Sequence, residues 1–335
     1  MFGSNRPAQA SSYWAPIVDW LPHAREEAAE ITSRLNLTRP QCANALHFSC
    51  HLAPWGYQSE DTSIYMHWNG PFAAMLFLNH WEYTRNATFA RSTVYPLVSG
   101  LVSWWSCFLQ RSKDGDGRPV LEDWNPVDPD ESSENQEVRN PMIGLAFARR
   151  LASFKIALSK ALFPGRPVPA DAAEIVQLLA PFPTASDSPG NASVWSAYQG
   201  ANAKQSGIFA LYPLFPTELI SQISDEPTLD IARRSVKAYT GPTTSSLSQS
   251  RPVEAFPAAV RAGYSPASRS GWQAHEVLDG LEKMLTNLQC CNTTMLPVAS
   301  GGGVENVGVT RAVNEMLLSA PEGLRRLVGL GKQIV

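Results

Sequence analysis

The sequence predicts an all-α protein. Three observations carry the prediction. Apolar residues recur at helical spacing along most of the 335 residues, strand-like alternation is rare and isolated, and long Pro-, Gly- and Ser-rich connections separate the helical runs. The pattern corresponds to about ten helices with long loops between them, and helix pairs recur in a hairpin rhythm.

The elements follow in order. Ile17, Val18, Trp20, Leu21, Ala24, Ala28, Ile31 and Leu35 trace one face of a first helix. A second runs from Asn69 to Tyr83 with Phe72, Met75, Leu76 and Leu78 apolar. Tyr95, Leu97, Leu101, Trp104, Trp105 and Leu109 mark a third. Arg139 to Phe163 forms a long one, with Pro141 in its first turn, where the missing N–H costs nothing. Shorter patterns cover Ala170 to Leu179, Thr228 to Tyr239, Gln273 to Leu288 and Val309 to Ser319. The connections Lys113 to Glu137, Pro181 to Ser206 and Tyr239 to Pro257 are long enough to be functional if ordered.

Composition narrows the function. Charged residues make up 17% of the chain and the net charge is −3, which points to neither nucleic acid nor a membrane surface as partner. No apolar run reaches the roughly 18 residues of a spanning helix. Met1 to Pro7 reads as neither a signal nor a transit peptide. Four Asn-x-Ser/Thr sequons, at Asn36, Asn86, Asn191 and Asn292, fit a secreted protein, and the compartment is otherwise unassigned.

The five cysteines show no metal-ligand spacing, so no metal or organic cofactor is expected. Cys42 and Cys50 are near enough to bridge locally, but buried or free thiols are the commoner arrangement. The ten tryptophans fit either a core or a sugar-stacking cleft.

One connection is rich in carboxylates: Glu122, Asp123, Asp128, Asp130, Glu131, Glu134 and Glu137 lie between positions 122 and 137. Mutual repulsion raises the pKa of whichever carboxyl is least solvated, the property a general acid needs. A solvated acidic loop is the plainer alternative.

The C-terminal run Ser300-Gly-Gly-Gly-Val-Glu305-Asn306, followed by Val309, Val313, Met316 and Leu317 at helical spacing, resembles the closing segment of the glycoside hydrolase family 95 catalytic domain. Ser4-Asn5-Arg6-Pro7, Tyr13-Trp14, Pro54-Trp55-Gly56, His67-Trp68-Asn69, Asn79-His80-Trp81-Glu82-Tyr83-Thr84, Tyr95-Pro96-Leu97, the acidic run up to Arg139-Asn140-Pro141, Tyr212-Pro213 and Phe256 to Tyr264 follow in the family's order.

The resemblance implies an (α/α)6 toroid of helical hairpins, here incomplete. Residues 1–335 would form a single catalytic domain without its first helices, the N-terminal β-sandwich and the C-terminal β domain. It implies an inverting α-L-fucosidase or α-L-galactosidase acting on an oligosaccharide or glycoconjugate. Glu131 is the expected general acid and Glu134, in Ser-Ser-Glu-Asn, the second candidate. Trp55, His67, Trp68, Asn69, Glu305 and Asn306 are the expected sugar contacts, although an isolated Asn before a helix, such as Asn69, is more often its N-cap.

The family's water-positioning Asn-x-Asn pair is absent from these residues, which predicts weak or no hydrolysis by this chain alone. A non-catalytic carbohydrate-binding protein or a helical scaffold is the alternative.

Overall fold

A computed structural model describes residues 15–48, 66–125, 137–186, 193–202, 206–239 and 251–263, together with Glu276, Leu278, Asp279 and Glu282. The chain divides into two compact units, residues 1–182 and 183–335. Among the described residues no helix is long and apolar enough to cross a membrane.

In the first unit the expected first helix is two: α1, Ala15–Asp19, and α2, Leu21–Arg34, with Pro22 at the start of α2. The buried stripe of α2 is Ala24, Ala28, Ile31 and Thr32, at spacings of three and four. Helix α3, Asn69–Thr84, ends at Arg85, whose φ of 52° is the left-handed conformation that commonly stops a helix. Its second residue, Gly70, lies where a Cβ would meet Phe48 Cδ2 at 2.6 Å and Leu101 Cδ2 at 2.9 Å, so the helix start is pressed against its neighbours.

Helix α4, Tyr95–Phe108, is entered through a helical turn at Ala87–Phe89 and a π-helical turn at Ala90–Val94. Asn86 caps that entry by accepting a hydrogen bond from the Phe89 amide at 3.0 Å. The widened turn precedes Pro96, whose ring would clash with the carbonyl four residues back in a regular α-helix. Every residue from Leu97 to Phe108 except Ser99 is buried.

Helix α5, Met142–Leu162, is the longest among the described residues, and it packs against α4 and against α6, Ala170–Leu178. Ile143, Leu145, Ala146, Leu151, Leu158 and Leu162 are buried as the periodicity predicts. The helix starts three residues later than expected, so Pro141 stands immediately before it rather than in its first turn.

Two further features replace sequence expectations. The connection after α4 holds a hairpin, β1 Gln110–Lys113 with β2 Pro119–Glu122, and a second pair, β3 Trp124–Asn125 with β4 Val138–Arg139. Cys42 is bonded to Cys107 rather than to Cys50 or left as a thiol, joining the 3-10 turn Pro40–Asn44 to α4. Arg39 reinforces that joint by donating to the Ser106 carbonyl at 3.2 Å and to the Leu109 carbonyl, groups that the end of a helix leaves without partners.

In the second unit, β5 Thr184–Ala185 pairs with β6 Val194–Trp195, and α7, Glu226–Tyr239, packs on β6 through the Trp195 amide, which donates to Ser235 Oγ at 2.8 Å. Helix α8, Arg251–Ala262, occupies part of what reads as a connection in the sequence and contains Pro257. Arg261 of α8 bonds Glu218 at 2.9 Å in a buried ion pair. The expected helix from Gln273 lies almost wholly outside the described residues, its four described positions being helical, and the helix from Val309 lies outside them entirely.

The all-α expectation holds for the described residues: strands are confined to three two-stranded pairs.

Candidate active site

The starts of α3 and α5 gather a group of buried polar side chains. The β3–β4 pair sets Trp124 against Arg139 and Asn125 against Val138, and thereby ties together the two ends of the acidic segment 126–136. Asn140 closes this arrangement. It adopts a φ of 51°, its amide donates to the Asp123 carbonyl at 2.7 Å, and its Oδ1 accepts from the Asp123 amide at 2.9 Å.

Asp123 is therefore fixed by its backbone, and its side chain is fully buried. Neither carboxyl oxygen has a hydrogen-bond partner among the described residues. Burial alone pushes its pKa from 3.8 to about 8, so the group is a neutral acid at pH 7. It fits because residue 144 is glycine: a Cβ there would lie 2.0 Å from Asp123 Oδ2 and 3.3 Å from the Trp105 ring.

Its neighbour Glu122 has the opposite environment. Burial pushes its carboxyl up, but hydrogen bonds from Ser112 at 2.6 Å, Arg139 at 2.7 Å and Trp124 at 3.4 Å, with the Arg139 charge, bring the net pKa below the usual carboxylate value. Two adjacent carboxyls thus have their acidities driven apart, the pattern that marks acid–base sites. The Arg139 guanidinium also lies 4.4 Å from the centre of the Trp124 ring, which is partly exposed.

A second chain of polar groups reaches the start of α3. Glu27 on α2 lies 2.6 Å from His47 Nδ1, and His47 Nε2 lies 3.4 Å from His67 Nδ1. Burial, and then the proximity of His47, hold His67 well below the ordinary histidine value. Its ring packs against Phe108 at 4.1 Å, Trp104 at 5.2 Å and Trp105 at 6.2 Å. His67 Nε2, Asn69 Nδ2 and Trp105 Nε1 are buried with no hydrogen-bond partner among the described residues. A folded protein seldom leaves such atoms bare, and their concentration points to a site that takes a ligand or ordered water. An open cleft of about 380 Å3 lies beside this group, with Phe108, Arg111, Trp124 and Glu137 among its lining residues.

His67 and Trp68 precede α3, and Asn69 is its first residue rather than its cap: Trp68 holds the cap position and no side chain caps it. The structure brings His67 and Asp123 to the same aromatic group, since Trp105 borders both His67 and the Gly144–Asp123 contact. Glu131, Glu134, Trp55, Glu305 and Asn306 lie outside the described residues. Sequence reasoning did not single out Asp123, Glu122, Glu27 or His47. The first two were visible only as members of an acidic run, and the last two are 20 residues apart with no motif linking them.

The family model described as the glycosyl hydrolase family 95 catalytic domain matches residues 9–317. No curated protein matches the chain. The family match spans both units and nearly the whole sequence, and the chain belongs to glycosyl hydrolase family 95.

Proposed function

We propose that residues 1–335 form a glycoside hydrolase domain that releases α-L-fucose from oligosaccharides or glycoconjugates with inversion, using Glu131 as general acid, or Glu134 in its place. The reading takes the toroidal (α/α)6 arrangement from the family. One observation carries it at the site: the carboxylate-rich segment 126–136 is closed by β3–β4 directly before α5, beside an Asp123 that burial keeps neutral.

A glycosidic oxygen is a poor leaving group, and a carboxyl with a raised pKa must protonate it as the bond breaks. The Trp124–Arg139 and Asn125–Val138 pairs hold the two ends of the segment together, and a carboxyl kept from water there would have such a raised pKa. Inversion further requires a water on the opposite face of the sugar, with acid and base roughly 6.5–9.5 Å apart. Trp55, His67, Trp68, Asn69, Glu305 and Asn306 are the candidates for holding the sugar.

A second reading is carbohydrate binding without hydrolysis. It is favoured by the exposed Trp124 ring, with the Arg139 guanidinium 4.4 Å from its centre, which offers an aromatic face to a sugar.

Incubation of the full chain with 2′-fucosyllactose, followed by proton NMR, separates the readings. Release of β-L-fucose, lost by about 10²–10⁴-fold in Glu131→Gln or in Glu134→Gln, supports the hydrolase and identifies the acid. Binding without release supports the second reading. Neither binding nor release refutes both.

A further inference from the structure

The Glu27–His47–His67 chain has a directional logic. An ionised carboxylate can only accept, so at the 2.6 Å contact His47 Nδ1 carries the hydrogen. A neutral His47 then has a bare lone pair on Nε2, and the 3.4 Å contact requires His67 Nδ1 to donate to it. That leaves the His67 Nε2 lone pair as the end of the chain. The side chains of Glu27 and His47 are 11% and 1% exposed, so water does not compete with the first contact. His67 itself is 2% exposed and ringed by Phe108, Trp104 and Trp105, none of which places a hydrogen-bond donor on Nε2.

We infer that Glu27 and His47 are positioning residues that lock His67 as its Nδ1–H tautomer, so that Nε2 accepts a hydrogen bond from a hydroxyl of the bound sugar. The sugar half of this inference rests on the reading under Proposed function, whereas the tautomer half does not. Phe108 links the relay to open space, since it packs on His67 and also lines the cleft beside Trp124. A hydroxyl suits this acceptor because it brings one donor without charge, and a cation or an anion would be stranded among the rings. A charged His47 would reverse the chain: its Nε2 would donate, and His67 Nε2 would carry a hydrogen instead.

The test is 1H–15N NMR of the labelled full chain at pH 8, where an imidazole of ordinary pKa is neutral, with His67 assigned through His67→Gln. The expected wild-type pattern is a pyrrole-like Nδ1 and a pyridine-like Nε2. A pyrrole-like Nε2 overturns the inference without any variant being needed. Glu27→Leu removes the acceptor and is expected to turn His67 into a tautomer mixture, while Glu27→Gln, whose carbonyl still accepts, keeps the wild-type pattern. An unchanged His67 in a folded Glu27→Leu protein refutes the relay.

L-Fucose is then added. A shift of His67 Nε2 towards the pyrrole-like range, with Nδ1 unmoved, supports the acceptor role. Fucose binding seen at other resonances without that shift refutes the acceptor role and leaves the glycosidase reading intact. Absence of binding at any resonance counts against the glycosidase reading instead, and against the sugar half that rests on it.

Discussion

Replacing Asp123 with Asn should make the protein more stable at neutral pH, and increasingly so as the pH rises. The wild-type carboxyl has a pKa of about 8 in the fold against 3.8 in the unfolded chain. Between those values the folded state keeps a proton that the unfolded state has released, so stability falls as pH increases. The slope is about 1.4 kcal/mol per pH unit and the full cost about 6 kcal/mol once both states have ionised. By pH 7 roughly 4 kcal/mol has been lost. Asn has nearly the same shape and does not titrate. At pH 4 both side chains are neutral and equally short of partners, and the two proteins should differ by no more than about 1 kcal/mol. The backbone bonds between residue 123 and Asn140 are unaffected by the change. Urea unfolding of both proteins from pH 4 to pH 9, followed by tryptophan fluorescence, measures the difference. A difference that does not grow with pH refutes the reasoning. An Asn variant that is less stable throughout would mean that the carboxylate is ionised and paired in the fold.

Two further outcomes follow from packing and from the cross-link. Gly144→Ala adds a methyl 2.0 Å from Asp123 Oδ2; the overpacking penalty of about 1–3 kcal/mol should exceed the helix-propensity gain of about 1 kcal/mol, lowering the melting temperature, and Asp123→Ala in the same chain should restore it. Cys107→Ala opens a link between residues 65 apart, for which loop entropy gives about 4 kcal/mol; denaturation midpoints with and without dithiothreitol should fall for wild type and coincide for the variant.

The helices were legible because their burial is periodic. Leu151, Phe154, Leu158 and Leu162 repeat at spacings of three and four, which only a helix satisfies, and the limits of α5 follow to within a few residues. The strands were not legible, since β3 and β4 are two residues each and no alternation can be read from two positions. Helix α8 was hidden by Pro252 and Pro257, which signal a break unless neighbouring packing compensates; Ala255, Phe256 and Ala258 are all buried with 0% exposure. The disulfide could not be deduced, because spacing along the chain favours Cys50 whereas the fold brings Cys107 to Cys42. At the site, His67-Trp68-Asn69 was marked by its place before an apolar run, and it does lie at a helix start. Asp123 differs from the neighbouring Glu122 in having no hydrogen-bond partner for its buried carboxyl among the described residues, and that burial depends on a glycine 21 positions later. Glu27 and His47 meet only because the His47 amide donates to the Ala24 carbonyl at 3.0 Å and sets the chain alongside α2.

The β3–β4 pair has a consequence for how this protein can change over evolutionary time. Paired antiparallel strands hold their ends about 5 Å apart, so whatever joins them starts and finishes at nearly one point. Doubling the length of such a joining segment costs only about 0.6 kcal/mol in closure entropy. Helix α5 and the Asn140–Asp123 bonds are settled by the pair itself, outside the segment. The positions from 126 to 136 therefore lie where insertions or exchanges around the proposed acid, Glu131 or Glu134, cost the scaffold beneath little.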